Sequence, residues 1–425
     1  MVLMSDRDEN ALEPVELIKQ SGAVLRVGRA MLTSGTGSYR VKTAMDQVAH
    51  AFGLDRHEAH VTLTEITGTS YRGPIFRTEV AEVHSMGVNS NKIKLLTELV
   101  NGLKPGATPV QVMSAVDRID ATPPLYPGWG NALAAGVACG AFSYLNNGGA
   151  LEVATVIVAA GLGQYVRRFF LHRKFNQFAA AMVAAAVACL VYLGQVTLIE
   201  ALSTSMQSHE AGYISAVLFL VPGFPLVTGA LDLAKLDFSA GVARTAYALM
   251  ILTSAGLSVW AVSWMVGLSP DPVPPADLPW IITLVLRLIA GWFGVLGFAL
   301  MFNSPWRMAV GAATIGMIAN TLRLELATAG VAIQAATMIA TFCVGLMAAV
   351  VAPRLKVPRI TISVPAVVIM VPGAAAYRSL FGFNNGDVEM AVTNGATAVF
   401  VIISIAVGLA AGRIVTDRAW AYERG

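Results

Sequence analysis

Asp232, Arg287, Asn320, Arg323, Tyr377 and Arg378 lie in or beside long apolar runs of the 425-residue chain. A polar or ionisable group inside hydrocarbon is costly and usually faces a partner or a wet cavity. A carboxylate at Asp232 is placed to accept an ammonium group or to carry a coupling proton. The plain alternative is an interfacial salt bridge to Lys235 or Arg244. Arg287, within ITLVLRLIAGW, is placed to meet a carboxylate or to snorkel to the outer surface. Asn320 and Arg323 end one apolar run, Asn320 as a ligand-contact candidate and Arg323 as a coupling or gating one. Arg323-Leu324-Glu325 also reads as an external ion-pair cluster. Tyr377 and Arg378 are placed like an external gate, with anchoring in the membrane belt as the competing account.

Two of these candidates follow breaks in apolar segments. LVPGFPLVTGALD puts Pro222, Gly223 and Pro225 inside a run greasy enough for a membrane helix, and MVPGAAAYRSLF puts Pro372 and Gly373 in another. The two Val-Pro-Gly stretches are 150 residues apart, from Pro222 to Pro372. Proline removes a backbone donor and clashes with the preceding turn, so carbonyls near Val217 to Leu220 are expected to lose their partners. Unpaired backbone groups survive at membrane depth only against protein or a wet cavity. A half-helix restarting after Pro225 aims free N–H groups and a positive dipole end into such a cavity, and a carboxylate suits it. A plain proline kink is the alternative. The expectation is that both breaks are non-helical, face each other and share one cavity.

The elements that must position these groups follow from composition. The chain is 56% hydrophobic and 13% charged, with a mean hydropathy of +0.64. Soluble domains are about 25% charged, so the bilayer is the natural second solvent. Nearly half of the charged residues fall before Tyr126, where the chain reads as a small α+β domain. Helical periodicity runs from Val15 towards Gly35 and from Ser38 to Gly53. HVTLTEITGTSY and PIFRTEVAEV read as two strands around Tyr71-Arg72-Gly73-Pro74, and NSNKIKLLTELVNGL and TPVQVMSAVDRID as helices. TPPLYPGWG marks the boundary to the membrane part.

Beyond it, ten spans are expected, at 129–146, 150–166, 177–198, 211–231 and 241–266, then 279–301, 306–322, 328–352, 360–380 and 394–415. With the N-terminus inside, the inward loops hold Arg167, Arg168, Arg173, Lys174, Lys235, Arg307, Arg354, Lys356 and Arg359. The inward tail adds Arg413, Arg418 and Arg424, and the outward loops hold only Arg323 and Arg378. That is the positive-inside bias. Five spans per half, each with its fourth span broken, imply inverted halves and a secondary transporter. The expected fold is therefore an α-helical polytopic membrane protein of two inverted five-helix halves plus an N-terminal α+β cytosolic domain. Its boundaries are 1–125, 126–270 and 271–425, and both termini are cytoplasmic.

The motifs also resemble a known family. LTSGTGSYRVKTAMDQVAHAFGL is similar to the opening helices of the threonine/serine exporters, and LVPGFPLVTGALDLAKLDFSAGVAR to their fourth-span motif, in which Asp232 matches the acidic position. GFALMFNSPWRMAVGAATIGMIANTLR and VPAVVIMVPGAAAYRSLFG resemble the second module, a separate subunit in some members. The resemblance covers almost the whole length. It implies export of small amino acids, threonine and serine above all, driven by the membrane gradient rather than ATP. Split members are associated with dicarboxylate export, so that substrate class stays open.

Other chemistry is poorly supported. Cys139, Cys189 and Cys343 lack metal-ligand spacing, and His50, His57 and His60 lack acidic ligands at fixed spacing, so no metal is expected. Ser34-Gly35-Thr36-Gly37-Ser38 follows a helix and lacks the lysine of a P-loop, so no nucleotide cofactor is expected. No catalytic constellation can be placed, and a net charge of +3 is too small to argue for nucleic acid. The N-terminus lacks a basic region followed by an apolar core, so no cleavable signal is expected. Gly136, Gly140, Gly291 and Gly294 are read as close helix contacts. The expectation is thus a proton-coupled exporter at the cytoplasmic membrane, its partners a small amino acid, a proton or other ion and lipid, with homo-oligomerisation open. A dicarboxylate exporter, a membrane-anchored enzyme using the N-terminal domain, and a channel are the rivals.

Overall fold

The computed structural model describes residues 15–83, 86–202, 210–268 and 274–422. They divide into two compact units. The first comprises the described residues up to Pro123 together with Lys235–Ala243, and the second comprises those of Pro124–Ala234 and from Arg244 onward.

In the first unit, α1 (Val15–Thr33) and α2 (Ser38–Ala51) precede a sheet of β1 (Arg56–Val61), β2 (Glu65–Arg72) and β3 (Ile75–Glu82), and α3 (Ser90–Gly102) and α4 (Pro109–Asp120) follow. The sheet is antiparallel in the order β1-β2-β3. Three strands replace the two expected, because Thr62 turns the chain inside HVTLTEITGTSY. Its N–H donates to Glu65 O at 2.9 Å and its hydroxyl accepts from Glu65 N at 3.1 Å. Gly73, at φ 57, opens the two-residue loop to β3, and Pro74 supplies the negative φ that follows. Thr108 and Gln111 form a capping box with Pro109 in the first turn of α4. The core joins Leu17, Val24, Val27 and Met31 to Met45, Val48, Ile66, Leu96 and Val116. An ion pair from Lys42 to Asp237 ties in the segment Lys235–Ala243.

The second unit is helical. Its elements are α5 (Gly128–Leu145), α6 (Ala150–His172), α7 (Gln177–Leu202), α8 (Glu210–Ser215) with a 3₁₀ turn at Leu218–Leu220, α9 (Gly223–Ala234) and, from Arg244 onward, α10 (Phe238–Val266). Then come α11 (Trp280–Met301), α12 (Trp306–Thr328), α13 (Ile333–Leu355), α14 (Ile360–Val368), α15 (Gly373–Asn385), α16 (Val388–Thr416) and the short α17 (Arg418–Ala421). Among the described residues six helices are long and apolar enough to cross a membrane: α6, α7, α10, α11, α13 and α16. Two bent pairs, Gly212–Leu220 with α9 and α14 with α15, bring the number up to eight if each is counted as one span. The chain is therefore a polytopic, mainly helical membrane protein.

The expected first and seventh spans coincide with α5 and α12, which lie outside that set of eight. Both are rich in Gly and Ala, which suits helices packed against other helices better than helices facing lipid. A Cβ on Gly136 of α5 would lie 2.3 Å from Ile157 O of α6, and one on Gly297 of α11 would lie 2.5 Å from Ala134 O of α5. Lengths recur along the chain: α6 and α12 each have 23 residues, and α10 and α16 each have 29.

Candidate functional site

The breaks are built by the same backbone device. Leu220 N donates to Val217 O, Val221 N to Leu218 O, Gly223 N to Val221 O and Leu226 N to Pro222 O, at 2.8–3.1 Å. The same four bonds recur 150 residues on, from Met370 to Val367, Val371 to Val368, Gly373 to Val371 and Ala376 to Pro372. A 3₁₀-type turn followed by a three-residue turn across the proline thus reclaims carbonyls that were expected to be orphaned. The chain bends by 60° at the first break and by 51° at the second. The first half-helix restarts at Gly223, before Pro225 rather than after it. Pro225 falls in the first turn of α9, where its missing N–H has no intrahelical partner to lose.

The breaks touch each other. A Cβ on Gly223 would meet Val368 Cγ1 at 3.2 Å and Val371 Cγ2 at 3.4 Å, and one on Gly373 would meet Val221 Cγ2 at 2.8 Å and Leu218 Cδ2 at 2.9 Å. Between them lies a cavity of about 10 Å³ lined by Phe142, Leu218, Val221, Phe298, Val368, Val371 and Gly373. That is at the lower limit for a single water, and its lining is apolar. In this conformation the two breaks form a dry contact where a shared wet cavity was expected.

Asp232 is fully buried on α9 and pairs with Arg244 of α10, Nε to Oδ2 at 3.1 Å, with the Arg244 side chain 3% exposed. The partner is one of the two cations named from the sequence, but the pair is buried rather than interfacial. Arg287 forms a different cluster: its Nη1 donates to Glu325 Oε1 at 2.6 Å and to Thr328 Oγ1 at 3.3 Å, while Trp280 Nε1 donates to Glu325 Oε2 at 3.0 Å. Arg323 does not join Glu325 there. Its Nη1 donates to Met370 O at 3.3 Å, two residues before Pro372.

Asn320, three residues earlier on α12, is fully buried with both carboxamide atoms lacking a hydrogen-bond partner. Tyr377 stands one turn beyond Pro372, 3% exposed, in a core cluster with Cys139, Cys189, Tyr192 and Tyr213. Its hydroxyl is buried and without a hydrogen bond. Arg378 beside it is half-buried. The site candidates thus divide into a break contact (Pro222, Gly223, Pro372, Gly373) with Pro225 in the first turn of α9, an ion pair (Asp232), two separate polar residues of α12 (Asn320, Arg323), Tyr377 with Arg378 beside it, and Arg287 in its own cluster with Glu325.

Arg167 was missed. The expected second span stops at 166, which leaves Arg167 in a cytoplasmic loop, whereas α6 continues to His172 and buries its Nε. The absence of any Gly or Pro just after Val166, with Arg167-Arg168-Phe169-Phe170 continuing instead, was the available signal.

The first unit has an open recess of about 730 Å³ lined by Arg26, Arg29, Thr33, Ser34, Met86, Gly87, Val88, Asn89, Lys92 and Asp120. Much of its charge is internally matched, since Arg26 pairs with Asp117 and Asp120, and Lys92 donates to Asp120 O. His57 bonds Ser70 Oγ through Nδ1 at 3.0 Å, and burial holds its pKa below the ordinary histidine value. Among the described residues no group of three His, Cys, Asp or Glu could hold a metal.

Residues 23–266 match the family model ThrE, described as "Putative threonine/serine exporter", and residues 287–415 match a second, described as "Threonine/Serine exporter, ThrE". The chain is 24% identical to a "Threonine/serine exporter" of Corynebacterium glutamicum over 96% of this chain and 86% of that one. It is also 24% identical to a "Probable threonine/serine exporter" of Mycobacterium tuberculosis, over 97% of this chain and 78% of the relative. A "Probable succinate transporter subunit YjjP" of Escherichia coli is 26% identical over 58% of this chain and 96% of its own. No solved structure matches. The fourth-span motif, the second module and their order along one chain agree with these matches: the chain belongs to the threonine/serine exporter family.

Proposed function

We propose that the protein is a secondary exporter of small amino acids of the threonine and serine class at the cytoplasmic membrane. In this reading it works by alternating access and is driven by the proton gradient. The observation that carries the reading is the reciprocal contact of two broken helices, the first of which carries a buried carboxylate–guanidinium pair further along, in a chain of this family. Broken helices meeting at a repeat interface are where secondary transporters place substrate and coupling-ion sites. The dry contact then represents a closed path, and rocking one half against the other opens it.

Ten spans in two inverted halves, with both termini cytoplasmic, complete the proposal. The recurring lengths of α6 and α12 and of α10 and α16 support it, as do the four hydrogen bonds repeated at a spacing of 150 residues. Asp232 carries the coupling proton, and Arg244 holds its charge between turnovers. Asn320, Tyr377 and the half-helix N-termini at Gly223 and Gly373 contact the substrate, while Arg287, Arg323 and Arg378 act in coupling or gating.

Counterflow in liposomes with labelled threonine, serine, alanine and succinate tests the substrate class. Threonine and serine are expected to exchange and succinate not to. The likeness to YjjP favours a second reading, a dicarboxylate exporter, and succinate exchange without threonine exchange would establish it instead. Topology is tested by single cysteines in a background free of Cys139, Cys189 and Cys343. Sites at Arg173 and Arg354 are expected to label only from the cytoplasm, and sites at Asn147 and Gly330 only from outside. Labelling of the Arg354 site from outside would end the inverted-half proposal.

A further inference from the structure

A tight turn joins α9, which ends at Ala234, to α10, which begins at Phe238. Leu236 sits in it at φ 62, a left-handed conformation that residues with large side chains rarely adopt. The Leu236 side chain is 64% exposed, so little packing holds it there. The second half makes the same turn 150 residues on. There Gly386 takes the left-handed place at φ 78, and the Asp387 side chain accepts from Met390 N at 2.9 Å, capping α16. Glycine adopts that conformation without strain, so the second turn is self-sufficient. The first turn has no such glycine.

What holds the first turn comes from elsewhere in the chain. Asp237, the counterpart of Asp387, pairs with Lys42 of α2, and Ser239 Oγ lies 3.4 Å from His60 Nε2 of β1. Lys235–Ala243 accordingly belongs to the first unit, although it is continuous with α9 before it and α10 runs through it. Asp232 lies just before this segment and Arg244 just after it, so the two members of the buried ion pair flank the gripped residues. A buried carboxylate–guanidinium pair repays its desolvation only if its geometry is close. That geometry depends on the turn, because the stiff helix α10 carries the position of its first residues to Arg244 about two turns on.

We infer that Lys42 and Asp237 are positioning residues for the Asp232–Arg244 pair: through them the N-terminal unit holds the strained α9–α10 turn and keeps the pair closed. That the pair serves coupling rests on the export reading proposed above. The topology of that reading puts the N-terminal unit and the α9–α10 turn on the cytoplasmic side and the α15–α16 turn outside, where a cytosolic domain has no access to it. The turn within reach of the N-terminal unit is the one that lacks glycine. The N-terminal unit is then a working part of the transporter rather than an appendage to it.

The experiment compares the full chain in liposomes as wild type, Lys42→Gln, Asp237→Asn and the charge swap Lys42→Asp/Asp237→Lys. Labelling of Asp232 by a hydrophobic carbodiimide, read by mass spectrometry, reports how often the carboxylate leaves Arg244. Uphill export and counterflow of labelled threonine and succinate report coupling and binding separately. The Lys42 and Asp237 side chains are 33% and 15% exposed, so losing their pair is expected to raise Asp232 labelling and lower uphill export by about threefold to fivefold each. Half-saturation in counterflow is expected to stay within about twofold, since neither residue contacts the substrate in the export reading. The charge swap rebuilds the pair and is expected to restore labelling and export.

Leu236→Gly gives the first turn the residue that the second turn uses. Leu236→Gly/Lys42→Gln is therefore expected to recover wild-type labelling and export without the ion pair, a recovery that a misfolded N-terminal unit would not show. Wild-type labelling of Asp232 in both Lys42→Gln and Asp237→Asn would overturn the inference. So would a rise that neither the charge swap nor Leu236→Gly reverses. A wild type that moves neither threonine nor succinate would instead overturn the export reading, and the labelling would still decide whether the N-terminal unit positions the pair.

Discussion

At the first break the chain bends by 60° and at the second by 51°, and four backbone hydrogen bonds recur between them in register. The side chains around them do not recur. Beyond the first break, α9 carries Asp232 to a buried partner, Arg244. The positions 150 residues further on are Gly382 and Asn394. Gly382 lies where a Cβ would meet Ala391 N at 2.7 Å, so α15 and α16 close against each other with no room for a carboxylate. Beyond the second break stands Tyr377, whose counterpart is the apolar Val227. The comparison teaches that one backbone hinge was kept twice while its chemistry was divided: a charge pair follows one break and a hydroxyl follows the other. In a symmetric pathway each break would bind alike. Here a buried carboxylate–guanidinium pair follows the first break and a buried hydroxyl follows the second.

The largest effect is expected where the two breaks differ most. Asp232→Asn removes the buried charge and leaves Arg244 unpaired, which costs about 3–5 kcal/mol of stability. Active export is expected to fall to background. The double variant Asp232→Asn/Arg244→Gln restores neutrality, so it is expected to recover detergent stability but not export against a gradient. If the double variant pumps threonine at the wild-type rate, the pair is structural and the division between the breaks loses its first half.

A second test strikes what the breaks share. In Pro222→Ala/Gly223→Ala the helix regains a donor and favours helical backbone, since Ala exceeds Gly by about 1 kcal/mol and Pro by about 3. Transport is expected to drop strongly while the protein stays at least as stable on heating in detergent. Wild-type transport from this variant would make the bend a passive kink.

The backbone repeat, the breaks and the α+β character of the first unit were legible in the sequence because proline, glycine and periodicity act locally. The third strand was not, since Thr62 turns the chain through its own hydroxyl inside a run that alternates like one strand. Nor was the dry contact, which depends on Val221 and Val371 meeting across the fold. Asp232 could be named from its apolar setting, but whether Lys235 or Arg244 answered it was a question of tertiary geometry. Arg167 was hidden for a related reason: a charge near a helix end reads as a loop until the helix is seen to continue past it.

The contact itself is uneven, and single alanines sharpen the comparison. A Cβ at Gly373 falls within 3.0 Å of both Val221 Cγ2 and Leu218 Cδ2, whereas one at Gly223 stays at least 3.2 Å from Val368. Gly373→Ala is therefore expected to cost about 1–3 kcal/mol through overpacking, seen as a lower melting temperature in detergent. Gly223→Ala is expected to stay within about 0.5 kcal/mol of wild type, as surface-like or tolerated changes do. The reverse order would mean that the breaks separate in the dominant conformation.

The smallest change deletes one oxygen. Tyr377→Phe keeps the ring in its cluster with Cys139, Cys189 and Tyr213 and removes a hydroxyl that has no hydrogen-bond partner. A buried unsatisfied group costs about 1–3 kcal/mol, so the variant is expected to melt at the same temperature as the wild type or higher. Val227 shows that the hinge itself needs no hydroxyl at this place. In the export reading proposed above, the substrate is the partner of this hydroxyl. Transport is accordingly expected to weaken, with half-saturation rising by about threefold to tenfold for one lost hydrogen bond. A variant that is more stable and transports as well as the wild type would leave both breaks apolar in function and confine the chemistry to Asp232 and the arginines.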